Sequence, residues 1–138
     1  MKHDQFIGLV QDRAQLASRG DAETATRATL ETLGQRIPEH LAANLAAQLP
    51  QEIGEHLRRT VTMGGAGTGD RFGLDEFAQL AAERGYTDEP NAIFRARVVL
   101  EVIGGATEDI LDKVRDALPA ELSSLVESGS SGRLNGGG

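Results

Sequence analysis

The stretch FGLDEFAQLAAER at residues 72–84 resembles MKHDQFIGLVQDR at residues 1–13, and this internal likeness decides how the chain is expected to fold. An internal repeat fixes the architecture, because each copy is expected to form the same structural unit. In both stretches the apolar residues recur at three- and four-residue intervals, which is the spacing of one face of an α-helix. The matched pairs, 71 positions apart, are Asp4 and Asp75, Phe6 and Phe77, Leu9 and Leu80, and Arg13 and Arg84.

Two later segments repeat as well, with slightly shorter offsets. Each change of offset falls between helical segments, where loops absorb a deletion more easily than packed elements do. The repeat is therefore expected to reflect a duplicated unit. The later matches are Arg27 with Arg97 and Leu30-Glu31 with Leu100-Glu101, 70 positions apart, and Leu49-Pro50 with Leu118-Pro119, 69 positions apart.

The sequence predicts a first helical repeat at 1–62, a Gly-rich inter-repeat linker at 63–72, a second helical repeat at 73–127 and a flexible Gly/Ser tail at 128–138. Good helix formers, namely Ala, Leu, Glu, Gln and Arg, dominate both repeats. The predicted fold class is all-α. We expect a tandem duplication of a unit of about four helices, joined by short connections, that forms one pseudo-twofold helical bundle.

The run from Val98 to Ile103 is β-branched and nearly continuous, as a buried strand would be. Its counterpart in the first repeat lies in an Ala-rich segment that begins at Ala22 and is typical of a helix. We therefore predict that residues 91–104 form the buried central helix of the second repeat.

Helix starts and core residues also follow from residue types. Asp21, Asp75 and Thr107 are predicted to cap the N-termini of helices, because their side-chain oxygens can accept bonds from free backbone N–H groups. A nucleobase-stacking platform would need clustered aromatic rings, so we interpret the aromatic residues as core. These residues are Phe6, Phe72, Phe77, Phe94 and Tyr86.

Composition and charge exclude several classes of function. The chain has no cysteine, which rules out disulfides and thiolate chemistry. Its net charge is -7, with -1 in residues 1–62 and -6 in residues 63–138, and such an acidic surface argues against nucleic-acid binding. The apolar run at residues 6–10 is too short for a signal peptide or a membrane span, so a cytoplasmic protein is expected.

The chain resembles a bacterial family known as domain of unknown function 2267 (DUF2267), from about Lys2 to Val126. The likeness is closest at FGLDEF (72–77), at AER (82–84) and at VRDALPAEL (114–122). The resemblance implies a helical fold and a bacterial origin, and it carries over no catalytic residue. The pair Gly104-Gly105, near the predicted end of the central helix, departs from the family pattern.

A metal site would need His40, Glu52 and His56. Glu52 and His56 are four residues apart, so a helix would place them on one face, and His40 would have to approach from the preceding helix. The spacing lacks the paired-histidine element of His-Glu-x-x-His. We therefore predict no metal and no cofactor, and we predict no catalytic residue.

The repeated arginines admit a structural and an anion-binding interpretation. We favour the structural one for the pairs Arg13/Arg84 and Arg27/Arg97, with partners such as Asp12 or the neighbours of Glu83. Neither clustered bases nor aromatic rings surround these arginines in the sequence.

The leading functional hypothesis is a non-catalytic protein-interaction or scaffold module. Its partner would be protein, either a second copy or another chain, bound in a groove between the repeats or on an acidic face of the second repeat. The alternative is a metal-dependent or small-molecule-binding enzyme with a site between the two repeats. In the tail, Arg133-Leu134-Asn135 is a candidate docking motif.

Overall fold

A computed structural model describes residues 1–62 and 72–126, and within these ranges the chain is helical throughout, without a β-strand. This confirms the all-α prediction. No helix in the described ranges is both long and apolar enough to cross a lipid bilayer. The helices are α1 (His3–Arg13), α2 (Arg19–Arg36), α3 (Glu39–Gln48), α4 (Gln51–Thr62), α5 (Leu74–Gly85), α6 (Glu89–Ala106), α7 (Ile110–Asp116) and α8 (120–126).

Helix α2 lies at the centre of the packing and contacts α1, α4, α5 and α6. Small side chains on its buried surface, including Ala22, Ala25 and Ala28, let these neighbours approach closely. The hydroxyls of the buried Thr26 and Thr32 donate to the carbonyl oxygens four residues earlier, at 2.8 Å in both cases. The hydroxyls are thereby satisfied without water, which allows a polar-looking helix to occupy the core.

Helix α6 contains the strand-like run and is helical as predicted. It contacts α1, α2, α5 and α7, and the side chains of Val98, Val99 and Ile103 are buried. Packing on several sides overrides the weak preference of β-branched residues for strands. The helix continues through Gly104 and Gly105 to Ala106, two residues beyond the predicted end.

Helices α1 and α5 end in the same way. Gln15 and Tyr86 both adopt left-handed backbone conformations, with φ of 55° and 54°. This conformation turns the chain so that the next N–H reaches back into the helix. The N–H of Leu16 donates to the carbonyl of Gln11 at 2.9 Å, and that of Thr87 donates to the carbonyl of Ala82 at 3.0 Å.

The predicted N-caps are wrong by two or three residues. Asp21 and Asp75 lie in the first turns of α2 and α5, and Thr107 lies at the C-terminus of α6. An acidic residue in the first turn favours a helix start through the helix dipole, so residue type alone locates the start only to within about a turn. The residues at the N-cap positions of α2, α5 and α7 are Ser18, Gly73 and Asp109.

The prediction that all five aromatic residues lie in the core is correct for three of them. Phe6 and Phe77 are 0% and 2% exposed, and Phe72 is buried. Tyr86 is 84% exposed and Phe94 is 47% exposed, so both were assigned wrongly. Phe94 lies on the outer face of α6, and Tyr86 lies at the turn that ends α5.

Two predicted segments lie largely or wholly outside the described residues. They are the linker at 63–72, of which only Phe72 is described, and the tail at 128–138 with Arg133, Leu134 and Asn135.

Candidate functional site

A hollow of about 480 Å³ opens between α1, α2 and α4. This size falls within the usual range for sites that bind small molecules, about 300–1,000 Å³. Its floor is apolar, because Ile7 and Ile53 are buried there. The residues around it are His3 and Ile7 from α1, Gly20, Glu23, Thr24 and Arg27 from α2, and Glu52, Ile53 and His56 from α4.

The hollow contains two of the three residues considered as metal ligands. Glu52 and His56 line it, whereas His40 is exposed near the start of α3 and does not. Across residues 1–62 and 72–126, no group of three or more His, Asp or Glu side chains is arranged to hold a metal ion. The hypothetical site made of these three residues is therefore not formed.

The neighbours of His56 determine which ring nitrogen carries the proton, and they favour the neutral ring. Its Nδ1 lies 2.5 Å from Nη2 of Arg59, which also donates to Glu31 at 3.1 Å. A guanidinium is always a donor, so Nδ1 must be the acceptor and the ring proton resides on Nε2. Burial, and after it the positive charge of Arg59, lowers the pKa of His56 from 6.5 to about 4.

We expect the stability of the protein to fall as the pH drops from about 6.5 to about 4, because His56 is harder to protonate in the folded state. Its pKa is about 4 when folded and close to 6.5 when unfolded. In that window the unfolded state binds more protons, so the contribution of neutral His56 is complete above pH 6.5 and is lost on acidification. NMR titration of the ring and thermal unfolding at pH 7 and 5 measure these two effects.

The variant His56→Gln should reduce the loss of stability between pH 7 and 5. His40→Gln, at an exposed position, is the matched control and should leave that loss unchanged. An NMR midpoint for His56 near 6.5 would contradict the predicted environment.

His3 fixes the end of α1 against α2. Its Nε2 lies 3.4 Å from Glu23, and its Nδ1 lies 3.6 Å from Asp4. Asp4 also accepts a 2.6 Å bond from Arg19. The carboxylate of Glu23 therefore faces the imidazole of His3 at one edge of the hollow.

Arg27 and Glu52 are not engaged in this way. Arg27 is partly buried, and its one bond within the described ranges is a long one, 3.5 Å from Nη2 to the backbone carbonyl of Arg84. Glu52 is exposed and makes no ion pair or hydrogen bond with any described residue. Within the part of the chain that the structure describes, Arg27 and Glu52 at the hollow therefore form no ion pair.

Two of the other arginines matched in the sequence, Arg13 and Arg84, hold helices together, although with other partners than expected. Arg13 on α1 bonds Glu101 on α6 at 2.7 Å. Arg84 on α5 donates to Thr32 and Gln35 on α2, at 2.9 and 2.8 Å. All three partners lie on helices far away in the sequence, so local spacing could not identify them.

Comparison with known proteins gives a family but no activity. The family model described as "Uncharacterized conserved protein (DUF2267)" matches residues 3–125. None of the curated proteins compared with the chain matches it.

Proposed function

Because the chain belongs to the DUF2267 family, whose description names no activity, we propose a function from its own surface: it is a non-catalytic module that binds another protein. The observation that carries this proposal is the exposure of Tyr86, whose side chain has 84% of its surface in solvent. Tyrosine is enriched where proteins bind one another, because it offers a large contact area at low cost in conformational entropy.

The backbone at Tyr86 strengthens this argument. Its φ of 54° lies in the left-handed region, which for most residues costs about 1–2 kcal/mol and which glycine adopts freely. Tyrosine therefore occupies a position that favours glycine and buries little surface in return. Neither the backbone conformation nor the core accounts for a large aromatic side chain at this position, which leaves a binding role for the ring.

The surroundings of Tyr86 indicate the chemistry of the partner. We use the name Tyr86 surface for Tyr86 and the exposed carboxylates within three residues of it in the chain, those of Glu83, Asp88 and Glu89. Two copies meeting through this surface in a twofold dimer would place like charges together, which opposes self-association. The partner proposed is therefore a second protein with an apolar side chain flanked by Lys or Arg.

We expect Tyr86→Gly to weaken partner binding by about thirtyfold, or about 2 kcal/mol, as for a hot-spot aromatic residue. The same change should leave the free energy of unfolding unchanged or raise it by up to about 1 kcal/mol, because glycine relieves the left-handed strain. Affinity capture from the source organism identifies the partner, and calorimetry with the purified pair measures both variants.

Gln15→Gly is the matched control, since Gln15 is exposed and has the same backbone conformation at the end of α1. Gln15→Gly should change the free energy of unfolding by about as much as Tyr86→Gly does. It should leave partner binding unchanged. Equal binding by wild-type and Tyr86→Gly protein would contradict the proposal.

We further propose that the chain arose by tandem duplication and forms a pseudo-twofold bundle. The matched ends of α1 and α5 support this, because Gln15 and Tyr86 are 71 positions apart. The N-caps of α2 and α6 also match, since Ser18 accepts from the N–H of Asp21 and Asp88 from that of Asn91, each 70 positions later. Helix α1 packs on α6 and α5 packs on α2, an exchange that a twofold axis would produce.

A cytoplasmic location is also part of the proposal, and the lack of cysteine in the chain supports it. No observation on the described residues favours an enzyme with a site between the repeats, because the hollow is lined only by helices of the first repeat.

A further inference from the structure

The hollow between α1, α2 and α4 is lined by two side chains, those of Arg27 and His56, whose N–H groups can donate further hydrogen bonds. A guanidinium carries five N–H donors, and Arg27 uses one of them in a single 3.5 Å bond to a backbone carbonyl. His56 adds a donor, because its Nδ1 accepts from Arg59 and its Nε2 must then carry the proton. Two donors that line the same hollow, one of them charged, suit a carboxylate.

A negatively charged acceptor, Glu52, lies one helical turn away from His56. Glu52 precedes His56 by four residues on α4, a rise of about 6 Å along the helix axis. Its carboxylate has no partner among the described residues and therefore offers an acceptor for an ammonium group. Between the two charged positions the floor of the hollow is the aliphatic surface of Ile7 and Ile53.

Singly charged ligands fit this arrangement less well. An inorganic anion at Arg27 would also meet the carboxylate of Glu52, and a cation at Glu52 would meet the guanidinium of Arg27. Each would gain one attraction and incur one repulsion. A ligand with a carboxylate at one end and an ammonium group at the other would meet an opposite charge at each end.

We propose that this hollow binds a small ω-amino acid, with its carboxylate on Arg27 and His56, its methylene chain on Ile7 and Ile53, and its ammonium group on Glu52. The site shares no residue with the Tyr86 surface, so the proposal does not depend on the protein-interaction function.

The test is an NMR titration of the full-length protein that follows the methyl signals of Ile7 and Ile53. The probes are glycine, β-alanine, 4-aminobutyrate and 5-aminovalerate, which separate the two charges by one to four methylene groups. At least one of them should bind saturably, and at least tenfold more tightly than butyrate or butylamine, which carry a single charge each. Tenfold corresponds to about 1.4 kcal/mol for the additional charged contact.

Two variants test whether the amino acid binds in this hollow. Arg27→Gln and Glu52→Gln should each weaken the best probe at least tenfold. Arg97→Gln is the matched control, because Arg97 is the exposed counterpart of Arg27 in the second repeat and should leave binding unchanged. Glu52 is exposed, so Glu52→Gln tests the site even if Arg27→Gln does not fold.

Three results would overturn the proposal. They are the absence of saturable binding by all four amino acids, equal binding of butyrate or butylamine and the best amino acid, and unchanged binding by a folded Glu52→Gln protein.

Discussion

Replacing Phe77 with alanine is expected to lower the free energy of unfolding by about 3–5 kcal/mol. The ring is 2% exposed, and it lies on α5 against the central part of the core. Alanine would remove the ring and leave a cavity that the surrounding helices fill only in part. Such a loss is a large fraction of the total stability of a domain, which is about 5–15 kcal/mol, and denaturant unfolding measures it directly.

Phe94→Ala is the control, because it removes the same side chain from the outer face of α6, where 47% of it is exposed. Its expected loss is well below that of Phe77→Ala, since part of the ring is in water already. Phe6→Ala should lower the free energy of unfolding as much as Phe77→Ala, because Phe6 occupies the matching sequence position, 71 residues earlier, and is fully buried. A loss below about 1 kcal/mol at Phe77 would contradict its place in the core.

The sequence was sufficient to predict the all-α fold class and several of the buried residues. Apolar residues at helical intervals identify Phe6 and Phe77 as core, and the repeat correctly assigned the strand-like run near Val99 to a helix. The first signal is local in the sequence, and the second comes from comparing the chain with itself. Tyr86 and Phe94 were misplaced, because exposure depends on which face of a helix the rest of the chain covers.

The candidate site was only partly predictable for a related reason. The spacing of Glu52 and His56 placed them on one helix face, and the structure places both at the hollow. The other polar residues there, His3, Glu23 and Arg27, come from α1 and α2, and no spacing along the chain connects them with α4. The absence of a described partner for Glu52 depends on how three helices cross, which is tertiary information.

Helices α3 and α4 approach each other closely at Gly54. Gly54 is buried on α4, and a Cβ added there would lie 2.7 Å from the backbone carbonyl oxygen of Ala46 on α3. Backbone atoms cannot rotate out of the way as a side chain can, so α3 and α4 would have to separate. We expect Gly54→Ala to lower the free energy of unfolding by about 1–3 kcal/mol, the usual cost of overpacking, although alanine favours a helix by about 1 kcal/mol.

Gly105→Ala is the control that isolates this contact. Gly105 lies inside α6, is exposed, and has no atom within 4 Å of the position that a Cβ would occupy. The same substitution should therefore raise the free energy of unfolding by about 0.5–1 kcal/mol, because it adds helix propensity without a clash. Thermal or denaturant unfolding of the two variants should give changes of opposite sign. Stabilisation by Gly54→Ala would mean that α3 and α4 are not packed as closely as described.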